Sequence, residues 1–182
     1  AESLWNACLE DYPGEELLVF GAIEFYSERS GPARVLEILH RAHEAEPTNM
    51  SFIEALASRL GASGESAEAE ELFLAATRDE VNAVQAWFSL ARYHEERDET
   101  AKARDAMAQG LRLLGEAPAT VVAAYVDLLI RAGDYDEAEE LLPQFDPSPV
   151  MQNMLRGRLF LARGDPAEAL EVLDEGLRLW PD

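Results

Sequence analysis

The sequence contains an internal repeat with a period of about 34 residues, and this repeat restricts the folds that the chain can adopt. Four segments share a turn residue, a polar helix start and an alanine five residues after the turn; they begin at Gly64, Asp98, Gly133 and Gly164. Successive starts are 34, 35 and 31 residues apart, and a weaker copy begins at Ser30. A fixed period of this length is typical of repeat proteins, in which each unit buries its apolar face against its neighbours.

Each repeated segment carries residues that end one helix and begin another. Gly64, Gly133 and Gly164 can adopt the left-handed conformation that closes a helix. Nearby polar residues are predicted to cap the helix that follows: Ser66, Asp98, Asp134 and Asp165. Apolar residues at helical spacing flank each turn, and no period-2 run of more than a few residues suggests a strand. The sequence therefore predicts an all-α fold built from antiparallel helical hairpins.

The spacing of bulky and small residues resembles the tetratricopeptide repeat family. Trp87, Leu90 and Ala91 stand at the Trp, Leu and Gly positions of that repeat, and the preceding unit matches at Leu56, Ala57, Ala69, Phe73 and Ala76. The resemblance implies a right-handed α-solenoid, a tetratricopeptide-like superhelix. It predicts a single array over residues 1–182, with a partial unit at 1–15 and units at about 16–49, 50–83, 84–118, 119–149 and 150–182.

Two features of this array depart from a regular pattern. Pro143 is predicted to end the second helix of the fourth unit near Leu142, followed by a tight link over residues 146–149. The chain also opens at Ala1 without an initiator Met, so we expect it to be a fragment of a longer protein.

Charge and cysteine content exclude several classes of function. The 182 residues include 15 Lys and Arg against 36 Asp and Glu, a net charge of −21. Such an acidic surface repels nucleic-acid phosphates and anionic lipids, and no apolar run is long enough to span a bilayer. Cys8 is the only cysteine, which excludes an internal disulfide, a thiolate zinc cage and an iron–sulfur cluster. The absence of a disulfide leaves the compartment open and only slightly favours the cytoplasm over the periplasm, and we expect a bacterial-type protein.

The sequence offers little that points to catalysis, to a metal or to a cofactor. His40 and His43 lie three residues apart on one predicted helix, but two imidazoles without a third ligand make a weak metal site. His94 faces the partner helix, so we expect it to be buried and hydrogen-bonded. The chain has neither a Gly-rich phosphate loop nor a nucleophile elbow. We therefore expect no metal, no cofactor and no enzyme activity.

The resemblance also implies a partner-binding surface, because the first helices of such repeats line a concave groove that holds a peptide or helix. The residues predicted to line this groove are Phe20, Glu24, Glu54, Phe88, Arg92, Asp127, Arg131, Met154 and Arg158. One subfamily has Lys and Asn at these groove positions, where they bind the C-terminal carboxylates of heat-shock chaperones. The residues of this chain differ from that set. A simpler interpretation is also open, in which Arg92 only pairs with Glu96 and Arg131 only pairs with Asp127, one helical turn away.

The functional prediction is a protein–protein interaction scaffold without catalysis. Two alternatives remain open: a structural or self-assembling segment of a longer repeat protein, and an accessory domain fused to an enzyme outside this chain. The last helix favours self-association, because it carries an apolar series: Ala169, Leu173, Leu177 and Trp180.

Overall fold

A computed structural model describes residues 1–143 and 149–179. This part of the chain is all-α, and none of its helices is long and apolar enough to cross a bilayer. The helices are α1 (Glu2–Asp11), α2 (Glu16–Ser27), α3 (Pro32–Ala45), α4 (Met50–Ala62), α5 (Ser66–Ala76), α6 (Ala83–Glu95), α7 (Thr100–Leu114), α8 (Ala119–Ala132), α9 (Tyr135–Leu141), α10 (Pro149–Arg163) and α11 (Pro166–Leu179).

The chain divides into two compact units, Ala1–Leu90 and the residues from Ala91 onward. In the first unit α2 pairs with α3 and α4 pairs with α5, while α1 packs on α2 and α3 packs on α4. In the second unit α8 pairs with α9 and α10 pairs with α11, while α7 packs on α8 and α10 packs on both α8 and α9. Helical hairpins are therefore the building blocks of both units, as the repeat predicts.

Apolar residues at helical spacing form the core of each unit. In α4 the buried side chains recur every three or four residues, at Phe52, Ile53, Leu56 and Leu60, so one face of the helix is apolar. In the second unit the core includes Val126, Leu129, Ala138, Leu155 and Leu159 from α8, α9 and α10. Burying each large side chain stabilises the fold by roughly 1.5–3 kcal/mol relative to leaving it exposed.

Four turns between consecutive helices share one backbone geometry. Gly64, Gly133 and Gly164 have positive φ angles of 91°, 88° and 88°, which confirms the predicted left-handed turns. At each of the four turns the next residue donates its N–H to a carbonyl five residues back, at 2.9–3.0 Å: Glu65 to Leu60, Glu99 to His94, Asp134 to Leu129 and Asp165 to Phe160. This bond satisfies a carbonyl that the end of the helix leaves without a partner.

The predicted capping roles of the polar turn residues are wrong at three positions. Asp98 itself adopts the left-handed conformation, with φ of 58°. It therefore occupies the position that glycine occupies in the other three turns. Asp134 precedes α9 but its carboxylate binds Arg104 Nη1 instead of an N–H of the helix. Ser66 lies inside α5, whose N-cap residue is Glu65. Tertiary contacts and the turn geometry outweigh the local capping preference at these sites.

Helix α9 is the shortest of the described helices, with 7 residues. It ends at Leu141 and Leu142 is its C-cap residue, in agreement with the predicted stop before Pro143. Proline lacks an N–H and its ring clashes with the preceding turn, so the helix cannot continue through this position. Most of the predicted link, residues 146–148, lies outside the described residues.

Candidate functional site

The first helices of the first unit present aromatic and acidic side chains beside the core. Phe20 on α2 is half-buried, and its ring centroid lies 5.9 Å from that of Phe52 on α4. Glu24, one turn further along α2, is exposed. The Phe20 ring is thus held by packing on one side and remains partly open to solvent on the other.

A hydrogen bond between two first helices orients an acidic residue in the same unit. Ser89 on α6 donates its hydroxyl to Glu54 Oε1 on α4, at 2.6 Å. Ser89 is buried, whereas Glu54 and the neighbouring Phe88 are half-buried. Ser89 is not among the residues predicted from the sequence. The available signal was its separation of 35 residues from Glu54, close to one repeat period.

A network of ion pairs links the first helices of the second unit. Arg131 Nε on α8 donates to Asp127 Oδ2 at 3.1 Å, and Arg131 Nη2 binds Glu95 Oε1 on α6. Arg158 Nη1 on α10 binds the other oxygen of the Asp127 carboxylate. We call Glu95, Asp127, Arg131 and Arg158 the charge network. It brings together three of the residues that the sequence predicts for the groove.

The charge network is partly open to solvent, and its guanidinium groups keep unused donors. The side chains of Arg131 and Arg158 are 41% and 45% exposed, and that of Asp127 is 22% exposed. Partial burial acts to lower the pKa of Arg131, but the hydrogen bond and charge of Glu95, together with Asp127, raise that pKa above its usual value. Because a guanidinium has five N–H donors, it can hold its carboxylates and still donate to a further acceptor.

Two other predicted residues lie on the same helices as the charge network. Met154 lies one turn before Arg158 on α10 and is 46% exposed. Arg92 is exposed on α6, three residues before Glu95. Sequence reasoning missed Glu95 itself, although its spacing from Arg92 places both on one face of α6. The intrahelical pair of Arg131 with Asp127, raised as the simpler interpretation, does form.

The three histidines differ in burial: His40 and His43 are half-buried and His94 is buried. Within the described ranges no group of three or more His, Cys, Asp and Glu side chains is arranged to hold a metal ion. Burial, and then the neighbouring His40, lower the pKa of His43. His94 is 2% exposed, and its Nδ1 lies 2.6 Å from Glu99 Oε2, so its predicted burial and hydrogen bond are confirmed.

A comparison with known protein families agrees with the fold of helical hairpins. A profile of the Tetratricopeptide repeat family matches residues 54–118 and 124–182, which is more than half of the chain. The chain belongs to the tetratricopeptide repeat family. A comparison by sequence with the curated proteins finds no match.

Solved structures of tetratricopeptide repeat (TPR) proteins and of related proteins share this fold. MamA protein has a TM-score of 0.60 at 15% identity, covering 92% of this chain and 92% of its own. YrrB, a TPR protein with an unusual peptide-binding site, has a TM-score of 0.58 at 16% identity, covering 98% and 93%. PilF of Pseudomonas aeruginosa has a TM-score of 0.58 at 18% identity, covering 99% and 83%. At these identities the likeness concerns the fold alone.

Membership of the tetratricopeptide repeat family supports a protein–protein interaction scaffold. In such a repeat one face of each first helix packs in the core and the opposite face is exposed. These exposed faces are suited to binding peptides and helices.

Proposed function

We propose that this chain is a protein-interaction module that binds a partner peptide or helix along its first helices and catalyses no reaction itself. The observation that carries the proposal is the charge network beside Met154, because it combines ordered, half-exposed guanidinium groups with an exposed apolar side chain. Interface hot spots are typically such combinations of Arg with apolar or aromatic anchors.

The second unit supplies both components of this binding surface. The carboxylates of Glu95 and Asp127 hold Arg131 and Arg158 in place, so less side-chain entropy is lost when a partner binds. Their remaining N–H groups suit carbonyl or carboxylate oxygens of a peptide. Met154 is flexible and polarisable, and it can pack against apolar side chains of different shapes. The proposal extends to the first unit, whose first helices carry a different set, aromatic and acidic: Phe20, Glu24, Glu54 and Phe88.

A capture experiment tests the proposal with a matched pair of double variants. The test variant, Met154→Ser with Arg158→Gln, removes the exposed apolar side chain and one member of the charge network. The control variant, Leu113→Ser with Arg178→Gln, removes an exposed leucine on α7 and an ion-paired arginine on α11. Proteins captured from lysate by wild type and by both variants are quantified by mass spectrometry.

We expect the control to retain the wild-type partner and the test variant to lose it. Loss of a hot spot of this kind costs about 2 kcal/mol of binding free energy or more, or about thirtyfold in affinity. Thermal melting of both variants should remain close to that of the wild type, since none of the substituted side chains is buried. If both variants capture the partner equally well, binding does not use the first helices of the second unit.

Self-association is a second candidate function, and exposed leucines on α11 favour it. Leu170 and Leu177 are 70% and 73% exposed and lie seven residues apart, on one face of this helix. Trp180, also predicted to contribute, lies outside the described residues. Sedimentation of the wild type and of a Leu170→Glu, Leu177→Glu variant tests this function. A dimer that the variant converts to a monomer supports it, and a wild-type monomer at high concentration contradicts it.

A further inference from the structure

A cavity of about 620 Å³ lies between α7, α8 and α9, within the second unit. Its walls are largely apolar and include Leu111, Val122 and Leu141. Tyr125, Glu137, Glu116 and Arg112 also line it. Helix α9, with 7 residues, contributes Glu137 and Leu141 to the lining of this cavity.

This cavity opens on the side of α8 that faces away from the charge network. At 3.6 residues per turn, Val122 and Tyr125 project from one side of α8, and Asp127 and Arg131 project from the opposite side. A ligand in the cavity therefore cannot touch the surface proposed above as the partner-binding site. Any binding here would be a second, independent interaction.

A buried tyrosine holds one carboxylate at the cavity. The Tyr125 hydroxyl donates to Glu137 Oε1 at 2.9 Å, and Tyr125 itself is only 7% exposed. Burial, and then the hydrogen bond and charge of Glu137, raise the pKa of Tyr125, so the hydroxyl stays protonated and remains a donor. A carboxylate has two oxygens that accept hydrogen bonds, which leaves Glu137 Oε2 able to accept from a ligand. Among the described residues no basic side chain forms an ion pair with Glu137.

We propose that the cavity binds a lysine side chain from a basic segment of a partner protein. The aliphatic stem of the lysine packs against Leu111, Val122 and Leu141, and its ammonium group pairs with Glu137 and Glu116. The charge of this region is complementary to such a ligand, because α9 carries acidic residues and no basic ones, and the whole chain has a net charge of −21. Arg112, which also lines the cavity, opposes a bound cation.

The opposing charges of the cavity allow a test in which two substitutions act in opposite directions. The probe is a fluorescein-labelled hexapeptide of alternating glycine and lysine, and its control is the same peptide with every lysine acetylated. Affinities are measured by fluorescence anisotropy at low ionic strength. Glu137→Gln should weaken binding about tenfold, and Arg112→Gln should tighten it several-fold, because each removes one charge near the ammonium group.

A matched substitution separates the cavity from general attraction to an acidic protein. Glu71→Gln on α5 makes the same change in net charge at an exposed position of the first unit, and it should alter affinity less than about twofold. Acetylated peptide should bind at least about tenfold more weakly than the lysine peptide. In NMR titrations, shifts should appear at Leu111, Val122 and Leu141.

Three results would overturn the proposal. Equal effects of Glu137→Gln and Glu71→Gln would mean that only net charge attracts the peptide. Equal binding of the acetylated peptide would mean that no cation is recognised. NMR shifts confined to Asp127 and Arg131 would place the peptide on the charge network, and would leave the function proposed above intact while excluding this second site.

Discussion

At the scale of single residues, Asp98 shows how one position can depart from its repeat without changing the turn. The equivalent positions of three other turns hold Gly64, Gly133 and Gly164, and Asp98 has the same left-handed sign of φ, at 58°. A side chain in this conformation costs about 1–2 kcal/mol, and somewhat less for Asp, whose side chain can bond locally. The backbone bond from Glu99 to the His94 carbonyl, at 3.0 Å, retains the turn despite this cost.

Replacing this aspartate should therefore stabilise the protein. We expect Asp98→Gly to raise the free energy of unfolding by about 0.5–1 kcal/mol, because relief of the left-handed conformation exceeds the added backbone entropy of glycine. Chemical denaturation of the two proteins measures the change. The matched reverse change, Gly133→Ala, should lower stability by about 1–2 kcal/mol, since no atom lies within 4 Å of the added Cβ and only backbone conformation is affected. A less stable Asp98→Gly protein would show that the carboxylate itself supports the turn.

A second residue-scale prediction concerns the pair of His94 and Glu99. An ionised carboxylate only accepts hydrogen bonds, so Nδ1 of the buried His94 carries the hydrogen that binds Glu99. This hydrogen bond, and to a lesser extent the charge of Lys102, lower the pKa of Glu99 below the usual value of 4.5. A lowered folded-state pKa means that the carboxylate stabilises the fold above pH 4.5 and loses this effect as the pH falls through its folded-state pKa.

Thermal melting across this pH range tests the pair. The midpoint of Glu99→Gln should lie below that of the wild type at neutral pH, and the two midpoints should converge as the solution is acidified below pH 4.5. The control is Glu71→Gln, which makes the same change at an exposed position of α5 and should lower the midpoint at neutral pH less than Glu99→Gln does. A constant gap between wild type and Glu99→Gln would contradict a role for the ionised carboxylate.

At the scale of helices, α10 and α11 approach each other closely because glycines line their contact. A Cβ atom added to Gly157 would lie 2.6 Å from Leu173 Cγ, and one added to Gly176 would lie 3.0 Å from Asn153 Cβ. Contacts of 2.6 Å are not sterically allowed, so a larger residue at position 157 must displace Leu173. The helix pair therefore depends on glycine for packing, not for backbone flexibility.

Because of this contact, we expect Gly157→Ala to destabilise the protein, although alanine has a higher helix propensity than glycine. The gain in helix propensity is about 1 kcal/mol, whereas overpacking at the helix contact costs about 1–3 kcal/mol. We expect a net loss of up to about 2 kcal/mol in a denaturation experiment. Combining Gly157→Ala with Leu173→Ala should restore part of this loss relative to the sum of the two single changes. Simple additivity would mean that the two side chains do not meet.

A neighbouring position in α10 differs from its counterparts in the predicted units. Val19, Ile53, Trp87 and Val122 occupy the fourth position of the earlier units, and the last unit has Asn153 there, only 7% exposed. A cavity of about 350 Å³ lined by Asn153, Met154, Leu173 and Leu177 lies beside it. The last hairpin thus places an amide where the other units place an apolar side chain.

Substitution with a residue of similar size should stabilise this hairpin. We expect Asn153→Leu to raise the free energy of unfolding by about 1 kcal/mol, because a buried amide is replaced by an apolar side chain that can fill part of the cavity. Denaturation by urea measures the difference. A loss of stability would indicate that the amide makes a hydrogen bond worth more than the apolar contact.

At the scale of the whole molecule, the net charge of −21 should govern the response to salt. Repulsion among like charges opposes the folded state, and screening at physiological ionic strength limits its range to about 8 Å. We expect the thermal midpoint to rise as NaCl increases from near zero to several hundred millimolar. The charge network acts in the opposite direction, because salt also weakens attraction. Arg131→Gln should therefore steepen the rise, and a midpoint that falls with salt would show that attractive pairs dominate.

The helical hairpins and the family could both be predicted from the sequence. Their signals are local: apolar residues recur every three or four positions along α4, and Gly64, Gly133 and Gly164 mark turns that their neighbours complete. The pair of Asp127 with Arg131 could also be predicted, since four residues separate them on one helix. The unit boundaries and the nine-residue groove remain predictions from the family resemblance.

Contacts between polar side chains on different helices could not be predicted from the sequence. Glu95 and Arg131 are 36 residues apart and Ser89 and Glu54 are 35 apart, so their contacts depend on how the first helices pack. The packing of the helices also places Asp134 in an ion pair with Arg104 instead of at an N–H of α9. It forms the cavity in which Tyr125 donates a hydrogen bond to Glu137. Periodicity specifies which face of a helix is buried. The exact neighbours of a polar side chain follow from the positions and lengths of adjacent helices, which no local pattern encodes.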